Sequence, residues 1–197
     1  MSCGWRWQIP LNSRTGNGYV YSSVYLSGDD AETELRSALG LLSSDIEARH
    51  LKMKVGQMKE HWYKNCLALG LSQGFIKPLE ATALHVVQTT IELFAQHYEQ
   101  GGFTEQYQAQ LNKRISEGFE GIRDYIVCHY KANGRKDTEY WVANAEYSAI
   151  SPSLASLLDV WQRGGDLTEE IQKQEIGHYY NPISWHCLLA GYARYNT

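Results

Sequence analysis

The stretch from Gly74 to Phe94, "GFIKPLEATALHVVQTTIELF", marks where the pattern of the chain changes from short strands to long helices. Before it, apolar and polar residues tend to alternate. From it onwards, apolar residues recur at three- and four-residue steps, as they do on one face of a helix. The recurring positions are Leu84, Val87, Ile91, Phe94 and Tyr98, and Gly101-Gly102 ends the run. We therefore predict an α+β chain with short sheet segments followed by a mostly helical part.

Glu80 stands where this helix is expected to begin. A carboxylate in the first turn is stabilised by the partial positive charge of the helix N-terminus. The same N–H groups can hold a small anion, and the amides of Thr82 and Ala83 would be placed to do so. Glycines at 70 and 74 would let a ligand approach the backbone closely. Spacing alone leaves both roles open and favours the simple first-turn acid, because a glycine-rich turn is weak evidence for a site.

The first third of the chain carries the pattern of strands separated by turns. In "GWRWQIPL" (4–11) apolar residues alternate with polar ones, which is typical of a strand with one buried face. Gly16-Asn17-Gly18 predicts the turn of a hairpin, with Tyr19–Tyr25 as its second strand. Two further strands are expected, an alternating one through Leu51, Met53 and Val55 and a buried one that ends at Gly70.

Helix starts are marked elsewhere by capping residues and by proline in the first turn. The starts expected from these signals are at Ser27, at Asp137 or Thr138, at Pro152 and at Pro182. An apolar stripe from Tyr107 to Tyr130 predicts one long helix. The histidines on these helices, His85, His97 and His129, are interpreted as structural rather than catalytic.

The composition excludes several classes of function. A formal net charge of −4 argues against nucleic acid as a partner. The sequence has no apolar run long enough to cross a bilayer and no secretory signal pattern, so a cytoplasmic protein is expected. The four cysteines are far apart and show no metal-binding spacing, so no metal site is predicted. Six Trp and fourteen Tyr supply flat surfaces that suit packing or a planar ligand.

The N-terminal motif is where the chain resembles a known family. Trp5, Trp7, Ile9 and Pro10 in "WRWQIP" match the W-x-W-x-I-P signature of flavin-dependent tryptophan halogenases. Three later segments are similar to segments of that family in the same order: "SRTGNGYVYSS", "NCLALGLSQGFIKPLEAT" and "IRDYIVCHYKANGRKDTEYW". The resemblance covers nearly the whole chain and implies the C-terminal part of a Rossmann-like FAD-dependent halogenase fold. Residues 1–78 would then complete the flavin-binding module, and residues 79–197 would form a mostly helical substrate-binding module.

The resemblance implies an enzyme that halogenates an electron-rich aromatic substrate, such as tryptophan or an indole-like compound. In that family reduced FAD, oxygen and chloride or bromide yield hypohalous acid, which travels through an internal tunnel to the substrate. A separate flavin reductase supplies the reduced FAD.

The resemblance also assigns roles to residues of this chain. Glu80 matches the family's catalytic glutamate, and the amides of Thr82 and Ala83 match its halide-binding positions. The cofactor contacts would come from Gly70, Gly74, Pro78, Leu79 and Ala83. The substrate contacts would come from Tyr179, Tyr180, Ser184 and Trp185. For the aromatic residues among these, packing in the core of a terminal helix is an equally good interpretation.

Departures from the family pattern limit the expected activity. The 197 residues contain no Gly-x-Gly-x-x-Gly for the flavin pyrophosphate and no match for the family's catalytic lysine, a role that Lys77 is not given. Ala81 and Ala83 replace the usual Ser and Gly, although both keep their backbone amides. The expectation is a C-terminal portion that is inactive alone, does not hold FAD alone, and needs an N-terminal half or a homo-oligomer. The alternative is a non-catalytic helical remnant that serves as a partner-binding module.

Overall fold

The computed structural model describes residues 1–76, residue 79 and residues 82–192 of the chain. The predicted site residues Pro78 and Glu80 lie outside the described residues, as do Lys77 and Ala81. The described part is α+β, with three two-stranded antiparallel sheets and seven α-helices. The predicted fold class is therefore confirmed.

The strands are β1 (Gly4–Pro10), β2 (Thr15–Tyr21), β3 (Gly56–Gln57), β4 (Trp62–Tyr63), β5 (Cys66–Leu67) and β6 (Gly74–Phe75). The pairs are β1 with β2, β3 with β6, and β4 with β5. The helices are α1 (Gly28–Leu39), α2 (Ala83–Gln100), α3 (Gln108–Ala132), α4 (Glu139–Glu146), α5 (Pro152–Gln162), α6 (Leu167–Lys173) and α7 (Pro182–Tyr192). A short 3-10 helix covers Gly70–Ser72.

The chain divides into two compact units. The first comprises residues 1–52 and 133–148, and the second comprises residues 53–132 and 149–197. The predicted division at residue 78 separates a flavin-binding module from a substrate-binding module. Because it was defined by function and not by packing, it stays a prediction.

The first unit is built on the β1–β2 hairpin, which the sequence predicts. Its turn, however, lies at Leu11–Arg14, where the Leu11 N–H donates to the Arg14 carbonyl (2.7 Å), and not at Gly16-Asn17-Gly18. Those glycines belong to β2, where Gly18 pairs with Trp7. A Cβ on Gly18 would lie 2.2 Å from Trp7 Cε2. The glycines therefore make room for a tryptophan ring, and the prediction that they form the turn is wrong.

Polar contacts join α1 and α4 to this hairpin within the first unit. Glu34 of α1 accepts hydrogen bonds from the Ser2 N–H (2.6 Å) and from the Tyr19 hydroxyl (2.9 Å). Thr138 caps α4 and donates to the Ser2 carbonyl (2.7 Å). The predicted helix starts after Ser27 and Thr138 are both confirmed, because each side chain accepts an N–H of its first turn.

Both strands predicted between residues 51 and 70 are wrong. Leu51, Met53 and Val55 are exposed, and no strand within the described ranges pairs with them. The expected buried strand is instead the tight β4–β5 hairpin. Lys64 at its turn has φ of 50°, which reverses the chain after only two strand residues.

In the second unit, α2 and α3 enclose one apolar core around Trp62. Its members are Trp62, Leu111, Ile115 and Phe119, with Leu67, Ile76, Val86, Leu93, Phe94 and Tyr98 packed against them. Leu84 and Ile91 were predicted on the buried face of α2, but they are 82% and 47% exposed. The face that packs runs through Val86 and Leu93, so the prediction for Leu84 and Ile91 is wrong, whereas that for the α3 stripe is confirmed.

A second core lies between the C-terminal half of α3 and the helices α5, α6 and α7. Its buried members are Tyr125, Cys128, Leu154, Leu157, Leu167, Ile171, Trp185, Leu188 and Leu189. The predicted starts at Pro152 and Pro182 are confirmed. Helix α6 was not predicted, because seven residues are too few for a helical period to show in the sequence. Its capping residue Asp166, which accepts from the Glu169 N–H (3.0 Å), was the available signal.

Candidate functional site

The first turn of α2 follows directly from the segment that carries Glu80. Thr82 is the N-cap residue, and its side chain makes no capping hydrogen bond. The Thr82 carbonyl accepts from the Val86 N–H (2.9 Å), which begins the helical hydrogen bonding. Because the Thr82 side chain occupies none of the first-turn N–H groups, those of Ala83 and the residues after it are suited to hold an anion.

The two glycines before this helix have structural reasons for being glycine. Gly70 has φ of +59°, a left-handed conformation in which a Cβ is strained, and it starts the 3-10 helix. A Cβ on Gly74 would lie 2.8 Å from Phe119 Cε1 and from the Gly56 carbonyl oxygen. The flavin contacts predicted for Gly70 and Gly74 stay predictions, as does the contact predicted for Leu79, which is half-buried.

A cavity of about 130 Å³ lies beside the first three turns of α2. Its apolar walls come from α2 and α3 and comprise Val86, Leu93, Ile115, Phe119 and Ile122. Its polar lining comprises His85, Thr89, Thr90, Arg114, His178 and Tyr179, and Gly118 completes it. The cavity thus reaches His85 in the first turn of α2.

Of the four predicted substrate residues, only Tyr179 lines this cavity. A Cβ on Gly121 would lie 2.1 Å from Tyr179 Cδ2, so the glycine lets the tyrosine ring lie against α3. Burial raises the pKa of Tyr179 to about 12, and the nearby Glu117 carboxylate adds to the rise. The Tyr179 hydroxyl therefore stays protonated at neutral pH.

The other three predicted substrate residues lie in or beside the second core. Tyr180 stacks on Tyr125 with ring centroids 3.7 Å apart. Trp185 is 2% exposed and packs edge-on against Tyr125 at 4.9 Å. The Ser184 N–H and hydroxyl donate to Asn181 Oδ1 at 2.8 and 3.1 Å, which caps α7. The packing of Tyr180 and Trp185 agrees with the alternative interpretation, in which the aromatic residues belong to the core of a terminal helix. The substrate contacts of all four residues stay predictions.

Two basic side chains that line the cavity, Arg114 and His178, were not predicted from the sequence, and a third, His85, was interpreted as structural. Burial lowers the pKa of His178, and the positive charge of Arg114 lowers it further. His178 is therefore mostly neutral at pH 7, and Arg114 supplies the permanent charge. One signal in the sequence pointed to Arg114, which immediately precedes Ile115 on the apolar stripe of α3. No such signal marks His178, because the loop that carries it has no periodic pattern.

Other histidines contact neighbouring groups within the helices or the first apolar core, and the structural interpretation of His97 and His129 stays a prediction. His97 Nδ1 contacts the Leu93 carbonyl at 2.7 Å within α2. His129 Nδ1 lies 3.2 Å from the Tyr192 hydroxyl. His61 stacks on Phe119, and burial lowers the pKa of its imidazole.

A buried amide lies behind the cavity wall. Gln73 is fully buried, and its Nε2 donates to the Thr90 hydroxyl (2.7 Å). This hydrogen bond joins the segment before Glu80 to the middle of α2, so it helps to fix the wall that Thr90 contributes to the cavity.

Two kinds of site are absent from the part of the chain that the structure describes. There, no three His, Cys, Asp or Glu side chains are grouped so that they could share a metal ion. Within the same residues, no helix has the length and apolar character that crossing a membrane requires.

Comparison with known proteins places these features in context. A family model described as tryptophan halogenase matches residues 1–196. The 7-chloro-L-tryptophan 6-halogenase KtzR of Kutzneria sp. is 35% identical over 191 residues, which cover 95% of this chain and 36% of that protein. Tryptophan 6-halogenase SttH of Streptomyces toxytricini is 34% identical, over 95% of this chain and 35% of its own length.

The same likeness holds for the three-dimensional structure. The crystal structure of a thermophilic tryptophan halogenase from Streptomycin violaceusniger matches with a TM-score of 0.88 and 35% identity. The match covers 98% of this chain and 37% of that one. The chain thus spans about a third of the length of the relatives that it matches.

Proposed function

We propose, since this chain belongs to the tryptophan halogenase family, that it forms part of a flavin-dependent halogenase of an electron-rich aromatic compound. The observation that carries the proposal is the arrangement at the start of α2. There, a first turn without a side-chain cap lies next to an apolar cavity that Tyr179 lines. An anion and an aromatic ring would thus be held side by side.

Chloride or bromide would be held by the backbone amides of Thr82 and Ala83. A halide needs fixed N–H donors in a place with little water, and a helix N-terminus supplies them without further reorganisation. Replacement of the family's serine and glycine by Ala81 and Ala83 keeps the backbone donors.

FAD would contact the backbone of Gly70, Gly74, Pro78, Leu79 and Ala83. The first turn of α2 suits such a contact, because the Thr82 side chain accepts no hydrogen bond from its N–H groups. When bound in its reduced form, FAD supplies, together with O₂, the two-electron oxidation of halide to hypohalous acid. We propose a separate flavin reductase as the source of the reduced form.

Glu80 would act on the substrate ring. As the halogen adds to a ring carbon, the ring becomes cationic, and a carboxylate beside it stabilises that charge. The same carboxylate then accepts the proton that leaves the substituted carbon, so that the ring regains its aromaticity. Tyr179, Tyr180, Ser184 and Trp185 would contact the substrate, with Tyr179 as a flat wall for the ring.

The test is the substitution Glu80→Gln in a halogenase assembled from this chain and the remaining residues of a family member, supplied with flavin reductase. We expect the rate of indole halogenation, followed by mass spectrometry, to fall by about two orders of magnitude or more. Glu92→Gln on the same helix is the matched control and should leave the rate unchanged. Unchanged turnover in Glu80→Gln would remove Glu80 from the mechanism. An assembly that binds FAD but never halogenates would favour the non-catalytic alternative.

A further inference from the structure

Helix α2 has two apolar faces, of which one packs against the core between α2 and α3 and the other is exposed. Val86 and Leu93 lie on the packed face. On another side of the helix, Leu84 is 82% and Ile91 47% exposed, and the half-buried Val87 lies between them at helical spacing. A helix that is apolar on more than one side is usually buried on more than one side.

The exposed face belongs to a stretch of the chain without charged residues. Between residues 82 and 91 the sequence contains no Asp, Glu, Lys or Arg. A helical face that is turned to water usually carries such residues, and the first ones in α2 are Glu92 and Glu99. The first turns of α2 thus have the composition of a helix that is covered on both sides.

The 3-10 helix that precedes α2 extends this uncharged surface. A Cβ on Gly70 would lie 3.8 Å from Val87 Cγ2, so the 3-10 helix lies against the exposed face. The next residue, Leu71, is 83% exposed, and residues 65–76 contain no charged side chain either. We call the surface formed by Leu71, Leu84, Val87 and Ile91 the outer face of α2. Exposed apolar side chains grouped in this way mark an interaction surface.

The proposed FAD contacts indicate what covers the outer face. Two residues proposed to contact FAD adjoin it, since Gly70 lies against Val87 and Ala83 directly precedes Leu84. The Gly-x-Gly-x-x-Gly for the flavin pyrophosphate does not occur in this chain, which spans only 36% of KtzR and 35% of SttH. For one FAD to reach both the motif and these residues, the part of the halogenase that carries the motif must lie beside the outer face.

We infer that the outer face of α2 docks against an apolar surface of the flavin-binding residues that lie outside this chain. The inference rests on the proposed function, because the shared FAD is what brings the two parts together. A second copy of this chain would cover the face without bringing a pyrophosphate-binding motif to Gly70 and Ala83. Docking also keeps water from the first turn of α2, which the proposed halide contact requires.

The experiment compares the isolated chain with a chimera in which this chain replaces the matching residues of SttH. Hydroxyl-radical footprinting with mass spectrometry measures how fast each side chain is oxidised. Because oxidation follows exposed area, Leu84 should be labelled about tenfold more slowly in the chimera if it passes from 82% exposure to core-like burial. Ile91 should be protected as well. Phe103, which follows α2 and is 69% exposed, is the internal control, and equal protection of Phe103 would overturn the inference.

A pair of substitutions tests the same face by a second measurement. Leu84→Lys with Ile91→Lys should abolish retention of FAD by the purified chimera, read from its absorbance, because docking would bury two charges. The isolated chain should keep its far-UV circular dichroism, since both side chains are exposed there. Gln96→Lys adds the same charge at an exposed position on a different side of α2 and should leave FAD retention unchanged. A double variant that retains FAD like the wild type would contradict docking through this face.

The remaining outcomes separate this inference from the proposed function. Unchanged labelling of Leu84 and Ile91 in a chimera whose halogenation depends on Glu80 would overturn the inference and leave the proposed function standing. Protection in a chimera that never halogenates would leave the docking face standing without the activity. Protection that grows with the concentration of the isolated chain would assign the face to a second copy and would also overturn the inference.

Discussion

Asn112 illustrates how a single residue fixes the position of the β4–β5 hairpin on α3. Its Oδ1 accepts from the backbone N–H groups of His61 (2.9 Å) and Trp62 (2.7 Å), and its Nδ2 donates to the Trp62 carbonyl (2.8 Å). The hairpin in turn places Trp62 in the core that supports the cavity. One side chain therefore satisfies three backbone groups that a two-residue strand leaves without partners.

Substitution of Asn112 by Ala should lower the free energy of unfolding by about 2 to 3 kcal/mol. The reason is that three hydrogen bonds of about 1 kcal/mol each are lost and two partly buried N–H groups are left unpaired. Urea unfolding followed by circular dichroism measures the change. Gln110→Ala, at an exposed position on the same helix, should change stability by less than about 0.5 kcal/mol. A similar effect from both variants would contradict the role given to Asn112.

At the scale of elements, the pairing of α5 with α6 depends on a carboxylate within a polar network. Glu170 of α6 is buried, and its Oε1 accepts from the Ser156 hydroxyl of α5 (2.6 Å) and from Gln174 Nε2 (2.7 Å). These hydrogen bonds, with a further contribution from Lys173, lower the pKa of Glu170 to about 2. The network therefore requires the ionised form of Glu170.

This pKa shift predicts a pH dependence of stability. Since the pKa of Glu170 is lower in the folded chain than the ordinary value of about 4.5, its contribution is fully present above that value. It is lost as the pH falls from about 4.5 towards 2. The difference in unfolding free energy between wild type and Glu170→Gln should therefore shrink over that range, as measured by urea unfolding at several pH values. Glu169→Gln, at an exposed position of α6, is the control, and a difference that stays constant with pH would refute the prediction.

At the scale of the whole molecule, the segment between α1 and β4 exposes many large apolar side chains. Leu42, Ile46, Leu51, Met53, Val55 and Met58 are each at least half exposed. Exposed apolar side chains at this density are prone to association with other chains, above all from residue 42 to residue 55, where no strand within the described ranges pairs with the backbone.

We therefore expect the 197-residue chain to self-associate in a concentration-dependent way. Sedimentation velocity should show the larger species, and the double substitution Leu51→Lys with Val55→Lys should reduce it, because charge on an unpaired extended segment opposes strand pairing. Val24→Lys, which changes an even more exposed apolar residue outside this segment, is the control. A wild-type monomer at all concentrations with a sharp, reversible thermal transition would be inconsistent with this expectation.

The sequence by itself determined the features that depend on near neighbours. The starts of α1, α4 and α5 follow from Ser27, Thr138 and Pro152, and the burial of α3 follows from its apolar stripe. Each signal acts within about one or two helical turns, so no knowledge of distant residues is needed. The tryptophan motif in β1, together with three later segments in the same order, also indicated the family, which the family comparison then confirmed.

Tertiary structure decided the features that need a distant partner. An apolar alternation predicts a strand at Leu51–Val55, but only a neighbouring strand with unpaired backbone groups could make it one. The glycines of β2 predict a turn from sequence alone, whereas in the structure the ring of Trp7 lies against Gly18 and leaves no room for a Cβ there. Arg114 and His178 meet at one cavity although 63 residues separate them in the chain. Periodicity shows that a face is buried but not what it packs against, and the site on α2 depends on that packing.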